Sequence, residues 1–270
     1  MKRLLLSTLG LLALGSAKSQ QVSDMISTGS GYTNAVFYSL EDGEIANVSN
    51  EDWDVAFNTS LFAVDIRING GKGVELYTYP DGDTSDFATV DITNIASWSQ
   101  NHNSTKSWDI GAFNVGATGS QFDYGWGAYN PTTHYVTGDS LYIVKTLAGD
   151  YKKIWIQTLA NGNYNFKYAD INGSNLTTES IALSGYSSKN YFYYSFDNST
   201  VIDREPDTDD WDFLAMKYDA LQPQGVYYPV TGILTNRGVK AREARSTNVT
   251  TANWSDFTEE EDIDVIGSDR

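Results

Sequence analysis

The sequence predicts an antiparallel all-β fold, sandwich or barrel-like, on three observations. Short segments with alternating apolar and polar residues recur along most of the chain, among them "NAVFYSL", "FAVDIRIN", "VELYTY", "SLYIVKT" and "NYFYYSF". They are rich in β-branched and aromatic residues, which suit a pleated, half-buried surface, and Gly, Asn, Asp or Pro bounds each. No stretch carries a helical apolar stripe longer than about two turns.

In "KKIWIQTL", Ile154, Ile156 and Thr158 fall on one face and Lys153, Trp155 and Gln157 on the other, a period of two. The next such segment, "YNFKYADI", follows across Asn161-Gly162, the dipeptide of a two-residue hairpin turn whose central residues both need positive φ. The glycines of "INGGKG" (68–73) lack the Ser or Thr and the helix of a phosphate-binding loop, so a tight bend or bulge is expected there. Asp81, Asp83 and Asp86 in "PDGDTSDF" invite a calcium reading. The EF-hand pattern fails, however, because Ile92 stands where its last ligand should be, so an acidic surface turn is expected.

The chain repeats itself. "VFYSLEDGEIANVSNEDWDVAF" (36–57) returns, slightly lengthened, as "FYYSFDNSTVIDREPDTDDWDFLAM" (192–216). Each reads as an aromatic strand, an acidic turn, a polar strand, then Trp-Asp opening an apolar strand. So distant a repeat implies two related units rather than a solenoid. The expected division is a leader over 1–19, a β domain over 20–185 and a second β unit over 186–270. The strand-like residues Ile263, Val265 and Ile266 come close to the end, so either this second unit is shortened or its last strands are missing; a truncated unit would leave an open sheet edge.

Lys2 and Arg3, an apolar run Leu4–Leu14 and the small residues Gly15, Ser16 and Ala17 read as a secretory signal peptide, cut after Ala17 or Ser19. The run is shorter than the roughly 20 residues of a membrane span, so an exported, non-spanning protein is expected, secreted or at the cell surface. With no cysteine, the chain has no disulfide, thiolate metal site, cysteine nucleophile or lipidated N-terminal Cys. The 18 basic and 35 acidic residues give a formal charge of −17, which argues against nucleic acid, whose binding draws on Lys and Arg.

The two histidines are the candidate metal ligands, because imidazole is a common ligand that loops on a β scaffold can present. His102 lies in "SWSQNHNSTKSW" and His134 in "YNPTTHYV". They are too few for a zinc site of three or more histidines, and no His-x-x-His spacing is present. Hydrolase motifs such as the Gly-x-Ser-x-Gly elbow are absent too, so a non-enzymatic role is expected. Trp98, Trp108, Phe122, Tyr124, Trp126 and Tyr135 lie near the histidines in sequence. They would suit an aromatic slot and serve as well as ordinary core or cross-strand pairs.

At "EDWDVAFNTSLFAVDIRINGGKG" (51–73) the chain resembles the HmuY-type haem-binding proteins exported by Bacteroidetes. The likeness rests on Trp53-Asp54, on Asp65, Arg67 and Asn69, and on the bend Gly71-Lys72-Gly73. It continues through "GWGAY", "SLYIVKT" and "KKIWIQTLANGNYNFKYADING", covering about 35–175. The resemblance implies a hemophore-like all-β fold for iron acquisition that grips haem between two loops, each giving one axial ligand. It places His134 in the second loop and His102 in the first, although the flanks of His102 do not match the family. Trp98, Trp108, Trp126, Tyr124 and Tyr135 would then form the haem pocket, with Lys106 or Lys145 offsetting the propionates. The partners implied are haem or another porphyrin and a haem-uptake receptor or cell-surface component. The alternative is a metal-free adhesive module that binds glycan or protein through exposed Tyr and Trp.

Overall fold

The computed structural model describes residues 23–60, 64–241 and the backbone of 264–267; the expected leader lies outside them. The first Trp-Asp copy forms β1 (Asn34–Ser39), β2 (Gly43–Ser49), β3 (Val55–Asn58) and β4 (Ile66–Ile68). A middle stretch supplies β5 (Glu75–Thr78), β6 (Gln100–Asn101), β7 (Gly127–Asn130), β8 (Tyr135–Gly138), β9 (Tyr142–Lys145), β10 (Tyr151–Ala160), β11 (Asn163–Asp170) and β12 (Thr177–Ala182). The second copy forms β13 (Tyr191–Ser195), β14 (Thr200–Ile202), β15 (Phe213–Leu221) and β16 (Tyr227–Thr235), and β17 (Asp264–Gly267) pairs with β16. The described helical turns are all short 3-10 pieces, and every strand pairing is antiparallel. No described helix is long and apolar enough to cross a membrane.

The sheets stack in three layers rather than closing into a barrel. One outer sheet runs β17-β16-β15-β1-β2, the middle sheet β14-β13-β3-β4, and the other outer sheet β12-β11-β10-β9-β5-β6 with the β7–β8 hairpin against β10. The middle layer is apolar on both faces because each face meets a core. On β3, Val55 and Phe57 point into the cluster shared with the large sheet, and Ala56 points into the cluster shared with the first sheet. β13 divides likewise, Phe192 and Tyr194 one way, Tyr191 and Tyr193 the other. A strand buried on both faces loses its polar alternation, which is why "YFYYS" reads as an unbroken aromatic run.

The two copies do not form separate sheets. Exchanging β1–β4 for β13–β16 turns the order β2-β1-β15-β16 into β14-β13-β3-β4, so each sheet joins the first hairpin of one copy to the last hairpin of the other. The register matches too: Tyr38 pairs with Phe213 and Phe37 with Leu214, as Tyr194 pairs with Val55 and Tyr193 with Ala56. Each Trp-Asp locks the crossing. The Asp54 carboxylate accepts from the Phe196 amide at 2.7 Å, and Asp212 accepts from the Leu40 amide at 2.7 Å. Trp53 meets Tyr193 edge-on at 5.0 Å, and Trp211 meets Phe37 edge-on at 5.0 Å.

Local turn chemistry follows the sequence. Asn161 and Gly162 both have positive φ, 52° and 70°, between β10 and β11. Asp83 and Asp86 form a capping box on the turn Thr84–Ala88. The bend at Gly70–Lys72 is tight because it abuts β15: a Cβ on Gly71 would stand 2.4 Å from the Tyr218 Cα.

Candidate functional site

A cleft of about 490 Å³ lies between three segments: 102–110, 114–124 and the β15–β16 hairpin. Its size is that of a pocket for a small organic ligand. Two of the walls are fixed by buried polar groups. The Arg67 side chain, on β4, donates to the carbonyls of Ser104 at 2.7 Å, Ser107 at 3.4 Å, Trp108 at 3.3 Å and Ile110 at 3.4 Å. Its guanidinium also lies 4.7 Å from the Trp108 ring. The first wall is thus wrapped around one arginine. Asn103 adds strand-like bonds to both the amide and the carbonyl of Ile68, at 3.0 and 2.7 Å.

Asn114 ties the second wall. It accepts from the Ile66 and Gly111 amides and donates to the Tyr124 carbonyl at 2.9 Å, so the loop is closed at its base. Gly125 permits this closure: its φ is +83°, and a Cβ there would meet the Asn114 carbonyl oxygen at 2.7 Å. Hydrogen bonds from Thr118 and Gly125 hold the Asp123 carboxyl below the usual range, so this wall carries a negative charge. The third wall brings Leu221 and Tyr227.

The lining mixes polar residues with apolar ones that stand exposed. Ile110, Val115 and Leu221 line the cleft yet are 47%, 51% and 46% exposed. Exposed Phe122, Val226 and Tyr228 adjoin it in sequence. Such grouped apolar exposure marks a surface that meets a ligand. Among the described residues Lys106 is the one Lys or Arg that lines the cleft, with Asp109 and Asp123 of opposite sign.

His102 lines this cleft. Its ring stacks on Tyr227 at 3.8 Å and 7°, and Nδ1 lies 3.5 Å from the Asp219 carboxylate. Nδ1 is buried without a hydrogen bond among the described residues. No hydrogen bond occupies Nε2 among the described residues, which leaves that nitrogen able to ligate. The donor set therefore fits an axial ligand to haem iron on one side of the cleft.

His134 stands outside the lining. It sits at the β7–β8 turn with φ of +59°, exposed, and Nδ1 shares a hydrogen bond of 2.6 Å with the Tyr129 hydroxyl. Tyr129 in turn touches Tyr124, a lining residue, with ring centres 6.2 Å apart, so two aromatic rings separate His134 from the cleft. The structure brings together His102, Tyr124 and Lys106, and leaves His134 beyond them.

The three tryptophans expected in the haem pocket, of seven in the chain, fall in three different cores. Trp98 packs on Tyr77 and Tyr79 on the outer face of the large sheet. Trp108 joins the cluster between the first and middle sheets and donates to the Thr235 carbonyl at 2.9 Å. Trp126 is fully buried between the middle and large sheets and donates to the Val64 carbonyl. Tyr135 bonds Asn161 across the hairpins, and Lys145 pairs with Glu75 at 2.7 Å. Nearness in sequence did not gather these side chains around one pocket. Asp219, Tyr227 and Leu221 escaped the sequence reading, since no local motif ties them to His102. Arg67 stood in the quoted string, but its role needs the loop in place. Among the described residues no cluster of three or more His, Cys, Asp or Glu is arranged to hold a metal ion.

The family model described as HmuY protein matches residues 31–172, more than half of the chain. No curated protein matches, and no solved structure does.

Proposed function

The chain belongs to the HmuY family, and from that premise we propose that it is a non-enzymatic, exported haem-binding protein that takes haem into the cleft with His102 as an axial ligand. The observation that carries this reading is a mostly buried imidazole, its Nε2 free of hydrogen bonds among the described residues, in a cleft that exposes apolar side chains. A porphyrin is a flat apolar ring with two carboxylates at one edge. The exposed Ile110, Val115 and Leu221 suit its faces, Tyr124 adds an aromatic wall, and Lys106 is the cation able to meet a propionate. When bound, the iron would supply an open coordination position for the imidazole lone pair. Residues 102–110, pinned to Arg67, hold that imidazole in place. Secretion gives such a protein access to haem outside the cell.

His134, held by Tyr129 outside the lining, is a ligand only if the 114–124 wall shifts, so the two histidines carry different expectations. Titration with haemin, followed by the Soret band, tests them. Wild type gives a saturable red-shifted band. His102→Ala loses it or weakens binding at least tenfold, and His134→Ala keeps it. A wild-type protein that leaves the haemin spectrum unchanged overturns the proposal and returns the cleft to a metal-free adhesive role.

A further inference from the structure

We propose that the β15–β16 hairpin, which lies beyond the residues matched by the family model, completes the ligand site: Asp219 sets the tautomer and orientation of His102, and Tyr227 holds its ring. This rests on the haem reading of the cleft.

A neutral imidazole carries one N–H, and only the other nitrogen has a lone pair to give a metal. Nδ1 of His102 faces the Asp219 carboxylate at 3.5 Å, both side chains are about 85% buried, and Nδ1 has no other acceptor. With the proton on Nε2, a lone pair would confront a carboxylate in a poorly solvated place. With the proton on Nδ1, that nitrogen faces an acceptor and Nε2 is free for the ligand. A carboxylate behind a ligating histidine acts in this way in metal sites generally, and such contacts are often long until the ligand arrives.

Two further features serve the same geometry. Tyr227 lies flat against the imidazole, with ring centres 3.8 Å apart and planes within 7°, which opposes rotation of the ring. The glycine bend makes room for the carboxylate: a Cβ on Gly70 would stand 2.5 Å from Asp219 Oδ2. The bend follows β4 and Asp219 belongs to β15, so residues from both Trp-Asp copies build one histidine environment. Asp219 and Tyr227 are positioning residues, and neither is a ligand.

The test uses the full chain with and without haemin. In the ligand-free protein, ¹⁵N spectra of the imidazole report the tautomer, and wild-type His102 is expected as the Nδ1–H form. Asp219→Leu abolishes that preference and weakens haemin binding about 10-fold or more. Asp219→Asn gives an intermediate result. Gly70→Ala reproduces the loss by displacing the carboxylate, and the double variant Gly70→Ala/Asp219→Leu is no worse than either single one. Tyr227→Ala leaves the tautomer alone and weakens binding. Unchanged tautomer populations in Asp219→Leu or, should that variant not fold, in both Gly70→Ala and Asp219→Asn overturn the proposal, whatever haemin does. A wild type that ignores haemin overturns the haem reading instead, and the tautomer measurement still judges Asp219.

Discussion

The first Trp-Asp copy, β1–β4, and the second, β13–β16, put the same groups at the same points of the framework. Asn69 and Asn236 show how closely: the first donates to the carbonyls of Asn50 and Trp53, the second to those of Thr208 and Trp211. They part company at the last strand of each. β4 carries Arg67 opposite Ala56, and β16 carries Leu234 opposite the equivalent Leu214. Arg67 gathers the loop that forms the cleft, whereas Leu234 fills the core. The second copy has its own departure, a buried Arg204-Glu205 pair with no counterpart in the first. The duplicated residues build the scaffold, and the unduplicated Arg67 shapes a wall of the cleft.

The largest expected effect breaks the shared part unequally. Asp54 is fully buried and accepts from two amides, Leu147 and Phe196, whereas Asp212 is half-buried and accepts from the exposed Leu40. Asp54→Ala leaves two donors unsatisfied and costs about 3–5 kcal/mol, against about 1 kcal/mol for Asp212→Ala, as urea unfolding would measure. Equal costs would mean that the two crossings are energetically alike.

Arg67→Leu makes the first copy resemble the second. It frees four loop carbonyls, costs roughly 2–4 kcal/mol and abolishes haemin binding by releasing 104–110. A variant that binds haemin as wild type does would show that the loop holds itself.

The buried acid of the second copy gives a pH dependence. Burial pushes the Glu205 carboxyl up to about 7, against the lowering effect of hydrogen bonds from Tyr193 and Asn190. The folded state then holds a proton that the unfolded chain has released. Stability is fully present below the ordinary carboxylate range, falls as pH rises toward about 7 and is flat above it, a loss of about 3 kcal/mol. Burial also raises Asp54, to about 6, with the same sign. In Glu205→Gln the slope between pH 5 and 7 flattens in chemical unfolding; an unchanged slope would assign it elsewhere.

The smallest effect sharpens the comparison by repair. Trp53 donates to the Asn50 side chain at 3.1 Å, whereas the buried Trp211 Nε1 has no acceptor among the described residues, since Thr208 stands at the position equivalent to Asn50. Thr208→Asn supplies one and stabilises by about 1 kcal/mol in thermal or urea unfolding.

Strand identity, the Asn161-Gly162 hairpin and the Trp-Asp repeat were legible because each depends on neighbours in sequence. Alternation is a property of the extended backbone, and a turn that needs positive φ selects its own residues. The repeat revealed the duplication but not the exchange of partners, since strand pairing depends on which edges meet after folding. The site was half legible. The family string spans both histidines, and of the residues singled out His102, Tyr124 and Lys106 line the cleft. The aromatics beside them went to three separate cores, because a loop that crosses between stacked sheets delivers successive rings to different layers.

What the sequence determined by itself was the all-β class, the family and the doubled framework, all written in local periodicity and recurring motifs. The tertiary structure alone decided that the copies interlock, that His102 rather than His134 faces the cleft, and that Asp219 and Tyr227 join it from far along the chain. The reason is physical: backbone preference acts over a few residues, whereas a binding site is made where packing brings distant segments within a few ångströms, and no local pattern encodes that distance.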